Sequence, residues 1–192
     1  MIERIAVHEA GHAIALLASG FKIEKIVARL AGGSMDPSVL FTAIPPGARL
    51  LTSLAGRAAE AIFHGDGEMS NPDGDSAGDA AIELGIYGRA NRARLESDAS
   101  CFVYQHATEI EFLAERLAHR GVLDADDIGR LCREAGSPLK KYAKLYSEPK
   151  PATRSKLSHL GCPQKRFTRA QEEAYWNTIP EGEMQTLRQL CS

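Results

Sequence analysis

The run His8-Glu9-Ala10-Gly11-His12 carries the most legible chemistry in this chain. Two imidazoles four positions apart fall on one face of a helix, where both can aim a ring nitrogen at one metal ion. Glu9 sits about 100° further round the helix, within reach of a water activated by that metal but outside its ligand set. Zinc suits such a set: two neutral imidazoles, a third ligand from another segment and an open position. Zinc lowers the pKa of water to about 7 and polarises a scissile carbonyl, while Glu9 takes the proton and later passes it to the leaving amine. The alternative is an amphipathic helix whose histidines fall four apart by chance. Spacing leaves the third ligand open among His64, His106, His119, Glu60, Asp73, Asp75, Asp79 and Glu83.

These residues need a helix beneath them and partner segments beside them. The span 2–19 supplies the helix, with Ile5, Ala6, Ala13, Ile14, Leu16 and Leu17 on a broad apolar face and Gly20 as its stop. Ala10 and Gly11 are small enough to let another segment pack close. Two β-branched runs, 23–30 and 39–44, predict a β-hairpin, ended by Pro45-Pro46-Gly47. Helical spacing returns over 48–64, with Gly65 just past the end. Residues 65–78 read as a Gly- and Asp-rich loop, followed by helices over 77–95 and 98–120. Asp124 and Ser137 are placed to cap two further helices, ending near Gly136 and Tyr146. Thr168 with Gln171 forms a capping-box pattern before 170–176, and a last helix is expected over 181–190. The predicted fold class is mostly α (α+β): a helical, zincin-like peptidase domain with a small β-hairpin and a C-terminal helical extension.

Three stretches, taken in order, resemble the peptidase domain of the FtsH-type zinc metalloproteases, the membrane-anchored AAA+ proteases. His8-Glu9-Ala10-Gly11-His12 matches that family's zinc helix. Leu54-Ala55-Gly56-Arg57-Ala58-Ala59-Glu60 resembles its Gly-Gly-Arg-Ala-Ala-Glu helix. Ser76-Ala77-Gly78-Asp79-Ala80-Ala81 resembles its Ala-Ser-Asn-Asp segment. A weaker likeness runs through 113–117 and 121–128 to the family's terminal helices, so the resemblance covers about residues 1–135. It implies that Asp79 is the third zinc ligand, with Asp75 as its rival. Glu60 is either a carboxylate orienting a zinc-bound histidine through the other ring nitrogen or a solvated helix residue. The hairpin either covers the helices or offers an edge on which an extended substrate pairs. Unlike the family, the zinc helix here begins almost at Met1. The chain has no Gly-x-x-x-x-Gly-Lys-Ser/Thr phosphate loop, so the expected activity is ATP-independent.

Charge divides the 192 residues unevenly. Residues 1–136 hold 13 basic and 20 acidic side chains, whereas 137–192 hold 10 basic and 5 acidic. The expected organisation is therefore a metallopeptidase domain, 1–136, and a basic extension, 137–192. In the extension Lys140, Lys141, Lys144, Lys150, Arg154, Lys156, Lys165, Arg166 and Arg169 are interleaved with five aromatic residues. That composition suits a partner protein or the acidic body itself better than nucleic acid. Cys162 is either an ordinary turn cysteine or a thiolate able to occupy the zinc's open position. Four scattered cysteines without a Cys-x-x-Cys pair, no run long enough for a membrane span and no secretory-type start predict a reduced, cytoplasmic protein. The expected function is a zinc metalloendopeptidase acting on protein or peptide substrates. The rivals are a non-proteolytic regulatory module with a structural zinc site and a nucleic-acid-binding adaptor.

Overall fold

Helix α1 (Arg4–Ala18) buries almost every side chain from Ala6 to Leu17, not a single apolar stripe. A helix apolar all round belongs in the middle of a fold, and the other elements stack on it. The computed structural model describes residues 3–29, 32–65, 71–86 and 88–147. It is mostly helical with one three-stranded antiparallel sheet, the predicted class. Helix α2 (Pro46–His64) runs antiparallel along α1. Their axes approach closely because Gly11 faces Ala55 and Ala59, where an added Cβ would stand 2.6 Å from the Ala55 carbonyl oxygen.

The sheet has the order β2-β1-β3, from β1 (Ile23–Arg29), β2 (Gly32–Pro37) and β3 (Val122–Asp124). The hairpin is real, but its second strand is 32–37 rather than the predicted 39–44. Arg29 pairs with Gly32, whose φ of 134° only glycine adopts freely. The hairpin thus closes before the β-branched run is reached, and Phe41–Ala43 forms a 3-10 turn leading to Ile44, which is buried. In β1 the inward phase set by Ile26 and Ala28 differs from that of Ile23. A bulge between Ile23 and Lys25 absorbs the difference.

The predicted loop over 65–78 is partly helix: α3 runs from Asn71 to Glu83. Proline in the first turn and Asp73 beside it are helix-start signals that the surrounding glycines mask. Gly85 and Gly88, at φ 69° and 92°, separate α3 from α4 (Arg89–Gln105), so the predicted 77–95 helix is two elements. The predicted 98–120 helix also divides, at His106, into α4 and α5 (Ala107–Arg120). Gly65, as expected, and Gly121, just past the predicted 98–120 span, end their helices in the left-handed conformation.

Asp124 caps α6 (Ala125–Arg133), its Oδ1 accepting from the Asp127 amide at 2.8 Å. Ser137 caps a 3-10 helix over Pro138–Tyr146. Leu139 and Tyr142 of that helix join the core, and Tyr146 donates its hydroxyl to the Ile23 carbonyl at 3.3 Å. The packed body therefore extends past the boundary expected at Gly136, because the first turns of the basic segment carry apolar residues on one side. Residues 148–192, with Cys162 and the helices expected over 170–176 and 181–190, lie outside the described residues. Among the described residues no helix is long and apolar enough to cross a membrane.

Candidate metal centre

The antiparallel contact of α1 with α2 fixes both histidine rings from behind. His8 Nδ1 lies 2.5 Å from Glu60 Oε1, and His12 Nδ1 lies 2.5 Å from the Thr52 carbonyl oxygen. Both partners are acceptors, so each Nδ1 carries hydrogen and donates it. A neutral ring then leaves its lone pair on Nε2. The two Nε2 atoms face each other at 2.9 Å. Asp73 Oδ2, from the first turn of α3, approaches them at 3.1 Å and 3.4 Å. Three electron-pair donors thus converge on one point.

Such a convergence is repulsive unless a proton or cation sits within it. Burial alone would hold the His8 imidazolium down. The Asp73 hydrogen bond and the carboxylates of Glu9, Asp73 and Glu60 outweigh it, and the His8 pKa lies above its ordinary value. The pocket therefore attracts positive charge. The donor set fits a metal on two grounds. Donors about 2.0–2.1 Å from a tetrahedral ion stand roughly 3.3 Å apart, close to the three separations here. The space is also kept clear, since a Cβ on Gly56 would stand 2.5 Å from His12 Nε2 and 2.9 Å from His8 Nε2. His8, His12 and Asp73 are the metal-capable cluster among the described residues.

Glu9 is buried beside this cluster under β2, where a Cβ on Gly33 would stand 2.5 Å from its Cγ. Burial raises its pKa. His12 and His8 act against that shift, and Asp73 and Asp36 add to it. Glu60 is buried behind the His8 ring, its Oε1 accepting from Nδ1, and is not a solvated helix residue.

Asp79, the expected third ligand, is not brought to this cluster; Asp73 takes that place. Six residues along α3 move a side chain about 9 Å and some 240° round the axis. Asp79 accordingly points into solvent, in the field of Asp75, Arg49 and Glu83. Asp75 is exposed as well. Of the other candidates, Glu83 pairs with Arg49, and His106 lies at the α4–α5 junction beside Glu109 and Lys141. Spacing makes Asp73 one of eight candidates and ranks none of them. The signal that singles it out is the helix start at Asn71-Pro72. No protein-family model matches the chain, and no curated protein matches it.

Proposed function

We propose that this chain is a zinc-dependent, ATP-independent endopeptidase in which His8, His12 and Asp73 hold the ion and Glu9 is the general base. One observation carries the reading: both Nδ1 atoms are tied to acceptors, so both Nε2 lone pairs and the Asp73 carboxylate converge on a space that Gly56 leaves open. When bound, zinc supplies Lewis acidity toward a peptide carbonyl and toward water.

The protein's own residues do the rest. Glu60 and the Thr52 carbonyl hold the rings in one tautomer and one orientation. Glu9, with its pKa raised by burial, accepts the proton of the attacking water and delivers it to the leaving amine nitrogen. Among the described residues β2 pairs only with β1, and its outward residues are exposed. A substrate segment in extended conformation can add to that edge beside Glu9.

The test compares zinc content and casein cleavage for the wild-type chain and Glu9→Gln. The expected result is equal zinc in both and cleavage by the wild type alone. Zinc uptake without cleavage of casein would favour the non-proteolytic metal module instead.

A further inference from the structure

We infer that Arg4 is a positioning residue of this metal centre, acting through Glu60 on His8. The inference rests on the metal reading above. Arg4 and His8 stand four residues apart on α1 and share a face. Glu60 of α2 bridges them, with Oε1 on His8 Nδ1 at 2.5 Å and Oε2 accepting from Arg4 Nε at 2.8 Å.

A carboxylate held at one oxygen can turn about its last torsion, which is broad and two-fold. Held at both, it keeps one orientation, and the His8 ring behind it keeps one plane. The guanidinium also offsets the cost of burying a carboxylate that is only 9% exposed. Residues behind a metal ligand typically govern affinity by about 10–100-fold. Arg4 lies one step further out and its side chain is 42% exposed, so its removal costs the fold little.

The experiment measures zinc affinity of the full chain by competition with a chromophoric chelator, with cobalt(II) absorption as a reporter of ligand geometry. Thermal melting of the metal-free proteins records any loss of stability separately. Arg4→Met should lose about tenfold in affinity and alter the cobalt bands, and Arg4→Lys should recover part of both. Glu60→Ala should lose at least as much, and adding Arg4→Met to it should change nothing further. Wild-type affinity in Arg4→Met, or fully additive losses in the double variant, would overturn the inference while leaving the metal reading intact. A wild-type chain that takes up no zinc would overturn both.

Discussion

Replacing Gly56 by alanine separates the proposed metal centre from the fold that carries it. The new Cβ would stand 2.5 Å from His12 Nε2 and 2.6 Å from its Cε1. Ordinary carbon contacts begin near 3.5 Å, so about 1 Å must be found. Ligand positions tolerate only about 0.2 Å. His12 cannot swing away without breaking the 2.5 Å contact of Nδ1 with the Thr52 carbonyl. Nor can α1 and α2 slide past one another easily, because Gly11 packs against the Ala55 backbone.

For stability the two opposing effects nearly balance. Alanine is favoured over glycine inside a helix by about 1 kcal/mol, whereas overpacking costs about 1–3 kcal/mol. The expected outcome is a small loss of stability with a loss of zinc affinity on the order of 100-fold or more. Gly47→Ala is the control: it lies on the same helix with nothing within 4 Å of the added Cβ, so it should leave affinity unchanged. Chelator competition reads the affinity, and chemical denaturation reads the fold. A folded Gly56→Ala protein that binds zinc as tightly as the wild type would refute the placement of the site between these rings.

Gly33→Ala should act on Glu9 alone, displacing its carboxylate and abolishing casein cleavage while zinc content stays at the wild-type level. Lys141→Met should flatten the acid limb of stability. Although burial pushes Glu109 up, the Lys141 hydrogen bond and charge outweigh it, so its folded pKa lies below the ordinary value. The pair's contribution is therefore present above about pH 4.5 and is lost as pH falls through the folded pKa. With Lys141 half exposed it is worth under about 1 kcal/mol, read as the difference in urea midpoints between acidic and neutral pH. An unchanged pH profile in the variant would exclude the pair as its source. Brief iodoacetamide treatment of the folded protein at mildly alkaline pH should label exposed Cys101 and spare Cys132, whose thiol is buried and pushed up to about 11. Peptide mass mapping that finds Cys132 alkylated first would contradict that burial.

The ends of elements were legible where a single residue has one physical use. Gly65 and Gly121 end helices, and Asp124 and Ser137 begin them, because an αL residue or a side-chain acceptor satisfies groups the helix leaves bare. The His8–His12 spacing was legible for a similar reason, since helical periodicity alone fixes their shared face. The carboxylate that joins them was not. Its identity depends on where α3 starts, and a Gly-Asp-rich stretch hides that start behind residues that also favour loops. The hairpin's true register escaped for a different reason. The β-branched residues at 39–44 look more strand-like than Gly32-Gly33-Ser34, yet β2 opens at Gly32, three residues past the end of β1, and takes the pairing first. No sequence signal marks what the glycines at 33 and 56 leave room for. Only the packed helices and sheet reveal that a side chain at either position would crowd Glu9 or the Nε2 atoms of His8 and His12.

Asp73, not Asp79, is proposed to complete the ligand set with His8 and His12. Zinc content of the purified full chain, measured by mass spectrometry for the wild type, Asp73→Ala and Asp79→Ala, tests it most directly. The expected result is one zinc per chain in the wild type and in Asp79→Ala, with the metal lost from Asp73→Ala. Zinc retained by Asp73→Ala and lost by Asp79→Ala would contradict it.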